Sequence, residues 1–228
     1  MFPYYIPPWA KYPYFPQELL PDNTGLVALG GKLSSKILVE AYSKGIFPWS
    51  GEDPIPWYSP DPRLVLFPQK FHAAKRLQRL IKQNYFQIAY DNDFESVIHH
   101  CASVPRRNQP GTWIDGNIIK AYTELYYQKI AHSVEVYHDN KLVGGLYGLY
   151  IGECFFGESM FSLVDNASKI AVFYLCRKLL DINGKMIDCQ QETPHMKRLG
   201  ADLVSRHQFL NLLEMYTRIQ NNFLSWKE

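Results

Sequence analysis

The chain has little of what marks secreted, metal-holding or membrane-spanning proteins. Its four cysteines, Cys101, Cys154, Cys176 and Cys189, lie far apart, with no CxxC pair and no Cys/His spacing of a zinc site. That pattern reads as free thiols in a reducing cytosol, and no metal is expected. No stretch approaches 18 consecutive apolar residues, so no membrane span is expected. The start, "MFPYYIPPWAKYPYFP", is crowded with prolines and lacks a basic n-region, which does not fit a signal peptide. Charge is also scarce. Charged residues make up 20% of the chain and the net charge is +2, so nucleic-acid binding requires a local patch rather than bulk charge. A cytoplasmic protein without membrane association is the expectation.

What is present is apolar and aromatic. With 228 residues, 46% of them apolar, the chain can bury a sizeable core, as one large domain or a small one beside a medium one. Sixteen Tyr, thirteen Phe and five Trp suit slot-like pockets and serve equally well as ordinary core.

The texture divides near residue 62. Residues 1–62 are rich in proline and aromatics and admit neither a long helix nor a central strand, apart from one short helix in "SSKILVEAYSKG" with Ser34 or Ser35 as cap and Gly45 as stop. They read as a small N-terminal domain. Residues 63–228 alternate helix and strand. Helices are expected in "FHAAKRLQRLIKQNY", in "DFESVIHHCASV" capped by Asp93, and in "DGNIIKAYTELYYQKI" capped by Asp115. Strands over 131–138, 141–150 and 153–161, joined by short links, predict an antiparallel meander. Asp165 or Asn166 then caps a crossover helix, and "KMIDCQ" returns as a strand parallel to the one before. A short helix from Thr193, a strand in "DLVSR" and a last helix complete an α+β domain with a mixed sheet.

Three groups of residues carry chemical possibilities. In "CFFGESMF", period-two alternation puts Glu158 on one face with Phe156 and Met160. A carboxylate among such neighbours needs a partner or a ligand. An Arg or Lys pairing it, or a solvated Glu158 with Phe155 facing the core, would account for it structurally. Gly144, Gly145, Gly148, Gly152 and Gly157 thin the neighbouring strands, which suggests a cleft. In "MIDCQ", Asp188 and Gln190 are two apart and share a face. Such a set suits binding a cation and orienting an amine better than covalent catalysis, and a polar strand end is the plain alternative. Third, Lys75, Arg79 and Lys82 form a stripe on one helix with Lys70 and Arg76 close by, either a solvated face or a contact for phosphates. Arg106 and Arg107 lie beside Trp113, which suits stacking on a nucleobase; Trp113 and Trp49 serve alternatively as interdomain wedges.

Taken together, "GLVALGGKLS", "EAYSKGIFPW", "WYSPDPR", "GTWI", "AHSVEV", "LVGGLYG", "FFGESMFS", "NASK", "IDCQ" and "TPHMKRLGA" run in collinear order over residues 25–201. In these stretches the chain resembles the leucyl/phenylalanyl-tRNA-protein transferases, bacterial enzymes of the N-degron pathway. The resemblance implies a C-terminal domain with the fold of the GCN5-related N-acetyltransferases. It implies transfer of Leu or Phe, with Met as a further candidate donor, from aminoacyl-tRNA to the α-amino group of proteins with N-terminal Arg or Lys. Because the ester is already activated, no cofactor is expected, and positioning supplies much of the rate. By resemblance, Asp188, Gln190 and Glu158 form the reaction centre, and Trp49 and Trp113 bracket the terminal adenosine. Phe155 and Met160 line the slot for the donor side chain, Lys75, Arg76, Arg79 and Lys82 meet the tRNA, and the protein acts as a monomer. Acetyl transfer is the runner-up, but "SMFSLVDNASK" lacks the Q/RxxGxG/A loop that holds a coenzyme A pyrophosphate. A nucleic-acid-binding module without catalysis is the third reading.

Overall fold

The computed structural model describes residues 3–12, 14–16, 19–105, 112–217 and 226–227. Two sheets organise them. The first has four strands, β1 (Tyr4–Ile6), β2 (Leu26–Gly30), β3 (Phe47–Pro48) and β4 (Pro56–Tyr58), in the order β1-β2-β4-β3, with helix α1 (Ser35–Ser43) between β2 and β3. Proline lacks the N–H a ladder needs, so these strands are short and the one framed by Pro3 and Pro7 sits at an edge. Ser34 caps α1, its hydroxyl accepting the Ile37 N–H, and Gly45 follows the helix with a φ of 71°.

The second sheet has seven strands. After β5 (Arg63–Leu66) come α2 (Lys75–Lys82), β6 (Gln87–Tyr90), α3 (Phe94–Ser103) and α4 (Gly116–Tyr127). The meander follows as β7 (Ala131–His138), β8 (Lys141–Ile151) and β9 (Cys154–Ser162), and then α5 (Ala167–Asp181), β10 (Met186–Asp188), α6 (Pro194–Arg198), β11 (Asp202–Val204) and α7 (Arg206–Thr217). The order is β11-β5-β10-β9-β8-β7-β6, and β9/β10 is the parallel pair in an otherwise antiparallel sheet. The meander, the crossover helix and the parallel return strand are as the sequence predicts. Strand β5 is not: "RLVL" is buried on both faces, so it carries no alternation to read.

One face of the large sheet packs α1, α3, α4 and α7 around Phe94, Tyr122, Phe156 and Phe209, and this core runs on into Ile6, Val27 and Trp57 of the small sheet. The other face packs α2, α5 and α6 around Phe155, Ile170, Leu175 and Leu199. Each such fully buried side chain is worth about 1.5–3 kcal/mol against exposure.

Two local expectations need correction. Neither Asp165 nor Asn166 caps α5 with its side chain: Asn166 occupies the cap position with a φ of 71°, and the Ser162 hydroxyl accepts the Ser168 N–H at 3.2 Å. Helix α2 begins at Lys75, and Lys70 lies in a preceding 3-10 turn, paired with Asp202 at 3.6 Å. Of the five basic residues, four therefore lie on the helix: Lys75, Arg79 and Lys82 of the stripe, and Arg76 beside it.

Candidate active site

The site begins as a fault in strand pairing. Across β8 and β9, Tyr147 stands opposite Ser159 and Gly148 opposite Gly157, so Glu158 is the extra residue of a β-bulge. A Cβ at Gly148 would lie 2.1 Å from the Phe156 carbonyl oxygen, so only glycine fits opposite the bulge. The bulge reverses the alternation read from the sequence. Phe156 belongs to the core under α1 and α7, whereas Met160 packs on the α5 side with Phe155. Gly144 serves packing rather than an opening, since a Cβ there would meet the Ala167 methyl at 2.5 Å.

Beside the bulge the sheet splits. Strand β10 pairs with β9 from Met186/Cys154 to Asp188/Phe156 and goes no further, while β9 continues to Ser162. The gap opens into a cavity of about 500 Å³. Its wall includes all seven residues expected at a reaction centre or slot: Glu158, Asp188 and Gln190 at the split, Phe155 and Met160 on the apolar side, and Trp49 and Trp113. Trp49 is exposed and braced by the Tyr58 ring at 5.0 Å, and Trp113 is half-buried rather than exposed. Lys75, Arg76, Arg79 and Lys82 are exposed on α2 and do not line this cavity; Arg76 reaches Asp165, just ahead of α5, at 3.6 Å. Arg106 and Arg107 lie outside the described residues.

Glu158 is 9% exposed and finds polar rather than cationic partners. Its Oε1 accepts from the Tyr42 hydroxyl and from Gln190 Nε2, both at 2.7 Å, and Tyr42 in turn shares a hydrogen bond with Tyr122. Its Oε2 has no partner among the described residues. Burial pushes the carboxyl up to about 7 against these hydrogen bonds, which stabilise its charged form. Burial first, and then Glu158, hold both tyrosines well above their ordinary value, so they remain donors.

The Asp188 carboxylate is already engaged. It is fully buried, and Arg63 occupies its carboxylate through Nε to Oδ1 at 2.8 Å and Nη2 to Oδ2 at 2.7 Å. A carboxylate so held is not free to capture a substrate cation. Nor do Asp188 and Gln190 share a face by strand alternation: β10 ends at Asp188, and Gln190 turns with a φ of 62°, its N–H bonded to Asp188 Oδ1 at 2.8 Å. Cys189 also touches the cavity, its thiol held well above the ordinary value by burial and then by Asp188.

Sequence reasoning missed Arg63, Tyr42, Tyr122 and His195. Arg63 carried a signal, since a cation opening an apolar strand demands a buried acid. His195 on α6 lines the cavity, its Nε2 without a partner among the described residues, and burial, followed by Lys169 and Arg198, lowers its pKa. Tyr42 and Tyr122 look like ordinary helical core in the sequence. No group of three or more His, Cys, Asp or Glu side chains suited to a metal occurs among the described residues.

An apolar slot that ends at a buried carboxylate and amide, with its cavity thiol held protonated, suits group transfer by holding substrates in place better than covalent catalysis by the thiol. The chain belongs to the leucyl/phenylalanyl-tRNA protein transferase family and is an aminoacyltransferase: the model of that family matches residues 65–214, and the model of its N-terminal domain matches residues 31–61. The leucyl/phenylalanyl-tRNA–protein transferase of Pseudomonas putida is 47% identical over 212 residues, spanning 92% of this chain and 93% of the relative. That of Nitrosospira multiformis is 45% identical over 224 residues, spanning 96% of each. Among solved structures, a GCN5-related N-acetyltransferase from Kribbella flavida aligns over 78% of this chain and 63% of its own at 12% identity, with a TM-score of 0.39.

Proposed function

We propose that the chain moves Leu or Phe from aminoacyl-tRNA to the α-amino group of proteins that begin with Arg or Lys. The observation that carries the chemistry is Glu158 on the cavity wall, its carboxyl pushed up to about 7 by burial, with one oxygen fixed by Tyr42 and Gln190 and the other buried without a partner among the described residues. Family membership supplies the donor and the class of acceptor.

The α-amine must be neutral to attack the ester carbonyl carbon. As the C–N bond forms, the amine proton passes to the Glu158 carboxylate. When the C–O bond to the ribose breaks, that proton ends on the leaving ribose hydroxyl. A base with a pKa near the working pH is best matched to both steps. Gln190 holds Glu158 and orients the amine, Phe155 and Met160 receive the donor side chain, and Trp49 and Trp113 hold the terminal adenosine by stacking. Asp188 acts from behind, as a positioning residue rather than a cation trap, so Glu158 is the acid that faces the basic N-terminus. The exposed α2 stripe meets tRNA phosphates.

Action as a monomer belongs to the same proposal. A division at residue 62 follows the change from the small sheet to the large one. Dependence on aminoacyl-tRNA supports a cytoplasmic site of action, and no helix among the described residues is long and apolar enough to cross a membrane.

The test is transfer of labelled leucine from Leu-tRNA to peptides starting with Arg, Lys or Glu, with acetyl-CoA as a competing donor. Transfer to the Arg and Lys peptides alone is expected. Equal use of the Glu peptide would overturn the acceptor assignment, and acetylation would overturn the donor.

A further inference from the structure

Arg63 is 1% exposed, and its guanidinium lies between the Phe47 and Phe209 rings at 4.8 and 4.6 Å. Its fork grips both oxygens of Asp188. One of those oxygens also receives the Gln190 N–H at 2.8 Å, and the β5 backbone holds the same turn, Leu64 accepting from the Cys189 N–H at 2.9 Å. Gln190 stands in a left-handed conformation that a non-glycine residue adopts at a cost. From that turn its amide reaches Glu158. A continuous chain of charge-assisted and neutral hydrogen bonds therefore runs from Arg63 through Asp188 and Gln190 to Glu158.

A buried ion pair is a poor source of stability, because apolar residues of similar volume often do as well. What a bidentate guanidinium–carboxylate pair supplies is direction: it fixes the plane and the position of the carboxylate. Here that plane decides where the Asp188 oxygen meets the Gln190 N–H, and so where the Gln190 amide points.

We propose that Arg63 is a positioning residue of the reaction, clamping Asp188 so that the strained Gln190 turn presents its amide to Glu158. The proposal rests on the reading of Glu158 and Gln190 as the reaction centre. Lysine keeps the charge and loses the fork. The full-length Arg63→Lys protein is expected to keep its native circular dichroism and to lose roughly 10²-fold in kcat with Leu-tRNA and an Arg-starting peptide, the size of effect that an ångström of misplacement produces. KM for both substrates should stay close to the native values. The deciding measurement is the double-mutant cycle with Gln190→Ala. If Arg63 acts through Gln190, the double variant is no slower than Gln190→Ala alone. Multiplying losses, or a native kcat in Arg63→Lys, overturn the proposal. A Gln190→Ala protein with native kcat overturns the site reading itself and this proposal with it, which separates the two failures. Should Arg63→Lys melt below the assay temperature, the pair Arg63→Gln/Asp188→Asn, which removes both charges together, carries the same cycle with the same outcomes.

Discussion

Two glutamates in this molecule share a chemistry and differ in consequence. Glu158 on β9 and Glu135 on β7 are both raised to about 7 by burial, and each leaves its Oε2 without a partner among the described residues. Glu135 sits in regular register opposite Gly145, is fully buried, and is held by the Ser133 hydroxyl at 2.5 Å and the Asp93 N–H at 3.4 Å. Close by, Asp91 pairs with His132 at 2.7 Å, and His132 stacks on Trp226 at 4.3 Å. None of these residues lines the cavity beside Glu158. Glu158 stands at a bulge beside a split in the sheet, on the wall of a cavity. A perturbed carboxyl alone thus does not mark a site; the opening beside it does.

The strongest test of this contrast replaces each acid by its amide. Glu158→Gln should lower kcat by about 10²–10⁴-fold, the range supplied by a positioned general base, whereas Glu135→Gln should transfer leucine at the native rate per folded molecule. Comparable losses in steady-state kinetics would erase the distinction.

Next in size is the adenosine clamp. Loss of a stacking ring costs about 1–3 kcal/mol, so Trp49→Ala and Trp113→Ala should each raise the donor KM about 5–150-fold with aminoacyl-adenosine as well as with tRNA. The α2 stripe should separate those donors: replacing Lys75, Arg79 and Lys82 by alanine should flatten the salt dependence of tRNA binding by about 2–3 in log–log slope and leave aminoacyl-adenosine unaffected. Filter-binding titrations at several salt concentrations measure the slope.

The smallest effect is on stability, and here the two glutamates should behave alike. A carboxyl whose folded pKa lies above its unfolded value binds more protons in the folded state than in the unfolded one between those values. Stability should therefore fall as pH rises from about 4.5 towards 7, and level off above that. Either glutamine variant should flatten the decline and melt higher than the native protein at pH 8. Thermal melts at half-unit pH steps check this, and a decline that persists in the double glutamine variant would place the titration elsewhere.

The physical division between what was readable and what was not follows particular residues. The meander, the crossover helix and the Asp93, Asp115 and Thr193 caps were legible, because alternation, helical spacing and cap chemistry act within a few positions of the chain. The family motifs named the residues that gather at the cavity, since "FFGESMFS" and "IDCQ" carry them on adjacent strands. Orientation was a different matter. A bulge belongs to a pair of strands, so the faces of Glu158 and Met160 depended on how β8 met β9. The state of Asp188 depended on Arg63, 125 positions away, and that of Glu158 on Tyr42, 116 away. By itself the sequence determined which acids, amides and rings the protein owns and which elements carry them. Only the tertiary structure decided which acid is neutralised in the core by a cation and which stands on the cavity wall with polar partners alone, because charge compensation and desolvation arise where distant segments pack together.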